Sequence, residues 1–223
     1  MQRVAIVRTL LAYGADANAQ ISASTTVAPY VSGKYGAFGD FSVGTGDLRD
    51  ATPLWVAAYG AAASGPEAVE LIRILLATGA DLNLSTHDGT TPLMAAAGLG
   101  GPLRGPSQTA TNAVRILVEA GANVADVNEA NFTALHGAAF RGSNDVAQYL
   151  VKQGADINAI DFRGRTPYRI AEGAQHTLQF HEWPETAALL ASLGADTTLG
   201  APENIGRQEP AISSTSNDES RSR

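Results

Sequence analysis

Apolar residues recur three or four positions apart in several segments of the chain, which is the spacing of one face of an α-helix. Three segments show it clearly: Val69, Ile72, Leu75 and Leu76; Val114, Leu117 and Val118; and Val146, Leu150 and Val151. Each segment ends at a glycine, the residue that best tolerates the left-handed conformation at a helix C-cap. A stretch rich in Asp, Asn and Gly follows and predicts a turn. The pattern therefore indicates a series of short amphipathic helices separated by turns.

A shorter helix is predicted ahead of each of these segments. Four ten-residue stretches begin with threonine: TPLWVAAYGA (52–61), TPLMAAAGLG (91–100), TALHGAAFRG (133–142) and TPYRIAEGAQ (166–175). The threonine hydroxyl can accept a hydrogen bond from a free N–H at a helix start, and proline suits the first helical position. The alanines that follow give a thin helix face, so each unit is predicted to be a closely packed pair of helices.

A second repeated stretch closes each unit. It reads GADANA (14–19), GADLNL (79–84), GANVAD (121–126), GADINA (154–159) and GADTTL (194–199). The interval from its glycine to the next threonine is 12 residues three times, as from Gly79 to Thr91 and from Gly154 to Thr166. A constant interval indicates a constant connector. Because neither helix can bury its apolar face alone, the units are expected to stack on one another.

These residues resemble the ankyrin repeat, whose pattern is a Thr-Pro-Leu-His helix start, an alanine pair and a Gly-Ala-Asp ending before a β-turn finger. The likeness implies an all-α solenoid over residues 1–199, with about four full repeats and an N-terminal half repeat, and with fingers projecting from one end. It also places His136 at a buried position that hydrogen-bonds neighbouring turns. Trp55, Met94 and Arg169 hold that position in the other repeats, so this network is expected to differ between units.

Composition narrows the possible functions. The chain has a net charge of −7 and no Lys/Arg-rich run, so binding to nucleic acid is not expected. It has no cysteine, which excludes disulfides, thiolate metal sites and cysteine nucleophiles. The N-terminal apolar stretch is broken by Arg8 and predicts neither a membrane span nor a secretory signal. The protein is expected to be soluble and cytoplasmic, although the first unit lacks its first helix, so the protein either begins earlier or has this end covered.

The largest departure from the repeat is an inserted finger loop at residues 20–50, where the usual interval of 12 becomes 38, from Gly14 to Thr52. Its residues 21–48 are rich in Gly, Ser, Thr and aromatics, and three interpretations stay open. The segment caps or folds over the first unit, binds a partner directly, or is disordered. Residues 200–223 are poor in large apolar side chains and are predicted to be a disordered tail.

The connection at residues 173–185 carries two histidines and two carboxylates that could in principle ligate a metal ion: His176, His181, Glu182 and Glu185. Pro184 interrupts the helix that would align His181 with Glu185, so a metal is not expected. Phe180 and Trp183 are instead predicted to cover the C-terminal end of the stack. No phosphate loop, nucleotide fingerprint, nucleophile elbow or metalloprotease motif occurs, and neither catalysis nor a cofactor is expected.

The resemblance implies binding of a protein partner through the fingers and the exposed side of the first helices. Carried over by position, the candidate residues are Tyr59, His87, Asp88, Leu99, Glu129, Phe140, Arg141, Phe162 and Arg163, with Tyr35 and Phe38 of the inserted segment. Aromatic residues and arginine often carry interface energy. Alternatively, Phe140 and Phe162 pack between adjacent units.

The predicted function is a monomeric, non-catalytic adaptor or scaffold that needs no cofactor and binds neither nucleic acid nor membrane. Two alternatives stay open: a hydrolase or metal-dependent site built on the solenoid by its insertions, or a recognition segment of a larger protein.

Overall fold

The computed structural model describes residues 2–23, 48–99, 105–173 and 182–200. Within these ranges it contains ten α-helices and no β-strand, as the sequence pattern predicts. The helices are α1 (Gln2–Ala12), α2 (Pro53–Tyr59), α3 (Ala61–Ser64), α4 (Pro66–Ala77), α5 (Pro92–Ala97), α6 (Gln108–Glu119), α7 (Ala134–Phe140), α8 (Asn144–Lys152), α9 (Pro167–Ala171) and α10 (Pro184–Ser192).

The helices form two layers. The first helices of the units, α2, α5, α7 and α9, pack side by side in chain order. The second helices, α1, α4, α6, α8 and α10, form the other layer, and each of the last four packs against the first helix of its own unit. The short helix α3 lies in the connection between α2 and α4 and also contacts α6. This arrangement is the predicted solenoid of stacked helix pairs.

The predicted threonine caps begin all four first helices. The hydroxyl oxygens of Thr52, Thr91, Thr133 and Thr166 each accept a hydrogen bond from the backbone N–H three residues later, at 3.2 to 3.4 Å. At the other end of the unit, Gly79 and Gly154 have φ angles of +89° and +92°. A side chain at such a φ would be strained, which explains why glycine closes the second helices.

One continuous core runs through the stack. Leucines of the first helices, such as Leu54 and Leu135, meet apolar residues of the second helices, such as Ile72, Leu117 and Leu150, and all of these side chains are buried. Full burial of one such side chain stabilises the fold by about 1.5–3 kcal/mol. Alanines between them let the two layers approach closely. The core therefore depends on contacts between units, and no unit has a separate core.

Ahead of the four complete units, which are numbered first to fourth from α2 to α10, lies a half unit that consists of α1 alone in the described residues. Val7 and Leu11 pack partly against the core, whereas Leu10 is 54% exposed. In the third unit the equivalent residue, Leu150, is completely buried. The helix spans Gln2–Ala12.

The fingers are joined to one another by backbone hydrogen bonds. The N–H of His87 donates to the carbonyl of Arg49 at 3.0 Å, that of Glu129 to Asp88 at 2.9 Å, and that of Phe162 to Ala130 at 3.0 Å. Each finger is thus held to the finger before it. The row of fingers is continuous through the whole described stack.

The inserted segment leaves and rejoins the stack at a closed base. The N–H of Ile21 donates to the carbonyl of Ala51 at 3.1 Å, and the N–H of Asp50 donates to the carbonyl of Ile21 at 2.9 Å. Ile21 and Leu48 pack beside the buried Trp55. Residues 24–47 and 201–223 lie outside the described residues, so the three interpretations of the insertion and the predicted tail stay predictions.

His136 occupies the buried bridging position that the repeat pattern predicts. Its Nδ1 accepts a hydrogen bond from the Thr133 N–H at 3.1 Å, so its Nε2 carries the proton and donates to the carbonyl of Arg165 at 3.3 Å. In the first complete unit the indole N–H of Trp55 makes the equivalent bond, to the carbonyl of Thr90 at 3.0 Å. The network is therefore preserved between these units although the residue differs.

The sequence predicts that Trp183 covers the C-terminal end of the stack, but the structure places it elsewhere. Its indole N–H donates to the carbonyl of Phe140 at 3.1 Å, and its ring lies on Gly142 of the third unit. A Cβ added to Gly142 would lie 2.3 Å from that ring, so only glycine leaves room for it. The tryptophan thus joins the third and fourth units. Phe180 lies outside the described residues.

Candidate protein-binding surface

Two exposed aliphatic residues occupy equivalent places on adjacent fingers. Val127 is 56% exposed and Ile160 is 48% exposed. Each stands directly before the residue that closes its finger, since the N–H of Asn128 donates to the carbonyl of Phe132 and the N–H of Asp161 donates to that of Arg165. The stack places these fingers side by side. Val127 and Ile160, called the apolar pair below, are therefore apolar groups presented to solvent at the same point of neighbouring units.

Three phenylalanines lie beneath the third and fourth fingers. The ring of Phe132 is buried and meets the rings of Phe140 and Phe162 edge to face, with centroids 5.8 and 5.9 Å away. Edge-to-face rings at such separations attract one another. Phe140 and Phe162 are half-buried. Both therefore pack between adjacent units and still present part of a ring to solvent.

Two guanidinium groups lie over this cluster. Arg165 is stacked over Phe140 at 5.5 Å and Arg163 over Phe162 at 5.1 Å. Arg165 is buried and forms an ion pair with Asp161 at 2.8 Å. Arg163 is partly exposed; burial, followed by the charge of Arg165, lowers the pKa of its guanidinium. The fourth finger thus combines aromatic rings with two cations and one buried carboxylate.

Carboxylates of the first three fingers take part in local contacts. Asp50 lies 3.6 Å from the exposed imidazole of His87. The carboxylate of Asp88 accepts hydrogen bonds from the Thr86 hydroxyl at 2.7 Å and the Thr90 N–H at 3.1 Å, which shape its own turn. Glu129 is exposed on the third finger. This end of the surface is polar and acidic, in contrast to the aromatic fourth finger.

Leu99 and Arg141 were predicted at the surface, and this was wrong. Leu99 is completely buried, and Arg141 is buried with its Nε and Nη2 donating to the carbonyl of Gly98 at 3.1 Å. Gly98 has a φ of +124°, which turns the chain back after α5. Leu99 then packs on Gly137, where even a Cβ would lie 3.2 Å from its Cγ. Both side chains join the second unit to the third.

Tyr59 is half-buried and stacks on Trp55, with ring centroids 5.1 Å apart. Three residues earlier on α2, Val56 is 49% exposed, and it is absent from the residues predicted to bind a partner. Its signal was weak, because a lone valine in an apolar helix segment reads as core. Tyr35 and Phe38 lie outside the described residues, so their assignment as binding residues stays a prediction.

The described residues contain no group of three or more His, Asp or Glu side chains arranged to hold a metal ion. His176 and His181 lie outside this part of the chain. The side chain of Glu182 lies against Gly173, and Glu185 is exposed in the first turn of α10.

Burial gives His136 an expected effect on acid stability. Desolvation lowers its pKa from 6.5 to about 4, although the charge of nearby Asp161 and the hydrogen bond to the Arg165 carbonyl raise it. Between these values the unfolded chain binds a proton that the folded protein does not, so stability is full above pH 6.5 and falls as the pH decreases toward 4. The free energy of unfolding is expected to fall by about 3 kcal/mol over this pH range.

Urea unfolding followed by circular dichroism at several pH values between 7 and 4 checks this prediction. The matched control is His136→Gln, which lacks the titrating ring. The difference in free energy of unfolding between wild type and variant should shrink as the pH falls. A constant difference over this range would contradict the assignment of a neutral, buried imidazole.

Among the described helices none is both long and apolar enough to cross a lipid bilayer.

Comparisons with known proteins agree with the geometry. Residues 58–161 match a family model described as ankyrin repeats, in three copies. Alpha-latroinsectotoxin-Lt1a of Latrodectus tredecimguttatus is 36% identical over 137 residues, which are 60% of this chain and 8% of that protein. Ankyrin repeat and SOCS box protein 16 of Mus musculus is 38% identical over 119 residues, 53% of this chain and 24% of its own length.

A third relative, the ankyrin repeat and LEM domain-containing protein 1 homolog of Caenorhabditis elegans, is 42% identical over 74 residues, 33% of this chain and 10% of that protein. The chain thus matches between 8% and 24% of the length of these relatives. Helix pairs, capping threonines, linked fingers and sequence similarity together identify residues 58–161 as ankyrin repeats.

Proposed function

We propose that this domain is a non-catalytic adaptor that binds another protein through its finger face, defined as the fingers together with the exposed side of α2, α5, α7 and α9. The apolar pair, Val127 and Ile160, carries this proposal. Aliphatic side chains half exposed at the same point of adjacent fingers lose contact with water when a partner covers them, which favours association. Ankyrin repeats in general are protein-interaction modules, which supports the assignment.

Phe140 and Phe162 add two half-exposed rings to the same end of the stack, and edge-to-face contacts with the buried Phe132 hold them in place. Rigid side chains lose little conformational entropy on binding, so an already ordered surface binds more tightly. The backbone hydrogen bonds between fingers also keep this surface ordered before a partner binds. No observation in the described residues favours a catalysed reaction. In this proposal the protein binds its partner as a monomer and needs no cofactor.

The test is affinity capture from a lysate of the source organism, read by mass spectrometry, with wild type and the double variant Val127→Asp, Ile160→Asp. A carboxylate at each position would have to be desolvated on binding, so capture of the partner should fall at least tenfold. Circular dichroism must first show that the variant is folded. Both side chains are already exposed, so little loss of stability is expected.

The matched control is Tyr13→Asp, which alters a side chain that is 89% exposed but lies directly after α1, away from the second to fourth fingers. It should capture the same partner as wild type. Equal capture by the double variant and wild type would contradict binding through the finger face.

A further inference from the structure

We infer that the partner presents an acidic, apolar segment to the fourth finger, with a carboxylate that pairs with Arg163 and an apolar side chain that contacts Phe162 and the apolar pair. This inference rests on the proposed function, because it names the chemistry of the partner for the same surface. The observations that carry it are the position of the Arg163 guanidinium, the charges around it and the apolar groups beside it.

The fourth finger has more positive than negative charge. Arg163 and Arg165 bring two guanidinium groups, and Asp161 brings one carboxylate. Asp161 is bound on all sides by its own finger: it accepts from Nε and Nη2 of Arg165 at 2.8 Å and from the backbone N–H groups of Arg163 and Arg165 at 2.9 and 2.8 Å. Its charge is thus committed to Arg165.

The guanidinium of Arg163 is held where it can meet a partner. It lies over the ring of Phe162, 5.1 Å from the centroid, and is partly exposed. Stacking orients the planar group, and its five N–H donors allow it to bind a carboxylate of a partner in addition to contacts within the chain. Burial is the first cause of the lowered pKa of this guanidinium, and the charge of Arg165 is the second. A carboxylate placed beside Arg163 would be attracted by both guanidinium groups.

The surroundings make this pairing effective. Phe162, Ile160 and Val127 supply apolar surface that excludes water when covered, and an ion pair is stronger where water is excluded. A basic partner segment would be repelled at the fourth finger by Arg163 and Arg165, whereas the exposed carboxylate of Glu129 lies on the neighbouring third finger. The arrangement therefore fits an acidic residue next to an aromatic or aliphatic one.

The experiment uses a phage-displayed library of random 16-residue peptides selected against the full chain. Enriched peptides are expected to carry Asp or Glu within two residues of a large apolar side chain. Their affinity, measured by fluorescence polarisation, should fall at least tenfold with Arg163→Glu and less with Arg163→Lys, which keeps the charge but not the planar fork. Raising the salt concentration from 50 to 200 mM should also weaken binding, because it screens the ion pair.

The matched control is Arg73→Glu, the same charge reversal at an exposed position of α4. It should change affinity less than twofold. Enrichment of basic or uncharged peptides, no enrichment at all, or affinity unchanged by Arg163→Glu would overturn the inference.

The apolar pair separates this outcome from failure of the proposed function. If Val127→Asp with Ile160→Asp abolishes peptide binding while Arg163→Glu leaves it unchanged, the finger face binds but its partner is not acidic. If neither variant affects binding, the peptides bind elsewhere and the proposed function fails as well. Should Arg163→Glu unfold the chain, Arg163→Ala serves as the second variant.

Discussion

Replacement of Asp161 by alanine is expected to lower the free energy of unfolding by about 3–5 kcal/mol, because it leaves a buried guanidinium without its partner. Asp161 and Arg165 are both buried, and the carboxylate also holds two backbone N–H groups of its finger. The loss therefore combines an unpaired charge with the opening of a turn. Urea unfolding followed by circular dichroism at pH 7 measures it.

A double-mutant cycle with Arg165→Met tests the cause. If the unpaired guanidinium is responsible, the double variant Asp161→Ala, Arg165→Met should be more stable than Asp161→Ala alone, because it buries no charge. If Asp161→Ala alone lowers the free energy of unfolding by less than about 1 kcal/mol, water reaches the ion pair, and the pair stabilises the fold no more than a surface ion pair does.

Replacement of Trp55 by alanine is expected to lower the free energy of unfolding by about 3–5 kcal/mol, which is typical when a large aromatic side chain is removed from a core. Trp55 is among the largest fully buried side chains, stacks on Tyr59 and donates to the carbonyl of Thr90. Alanine would leave a cavity and remove one of the hydrogen bonds of the Thr90 carbonyl, which still accepts from the Thr86 N–H at 3.1 Å. Urea unfolding measures this loss as well.

Histidine is the informative control at this position, because His136 makes the equivalent bond in the third unit. Trp55→His should retain the bond to Thr90 and lose only part of the packing, so its stability should lie between wild type and Trp55→Ala. If the two variants are equally unstable, the bond is not re-formed and only the bulk of the tryptophan matters.

The helix pairs could be predicted because their signals are local. A threonine caps the helix that follows it, and a glycine closes the helix before it, whatever the neighbouring units contain. Thr133 and Gly154 behave in this way, and so do their equivalents. Repetition strengthened the prediction, since each unit repeated the same local evidence.

The surface was less predictable because exposure depends on contacts between units. Leu99 and Arg141 are buried since Gly98 turns the chain back and Gly137 leaves room, and neither effect can be read from repeat position alone. Trp183 contacts the third unit for a similar reason: Gly142, distant in sequence, provides its site. Conversely, the exposure of Val127 and Ile160 distinguishes them from the many aliphatic residues of the core.

The structure gives the geometry of the remaining candidate residues, but their role in binding stays a prediction. These residues are Tyr59, His87, Asp88, Glu129, Phe140, Phe162 and Arg163.

The backbone bonds between fingers also determine how the solenoid responds to mechanical load. In the described ranges, backbone-to-backbone bonds between units lie along the fingers, whereas the opposite edge is joined through side chains such as Arg141 and Trp183. Side-chain links have several rotatable bonds and yield more readily than peptide groups. The stack should therefore flex about the fingers as a hinge line, with most of the elastic strain at the opposite edge, so that its curvature can adapt while the spacing of the fingers stays nearly constant.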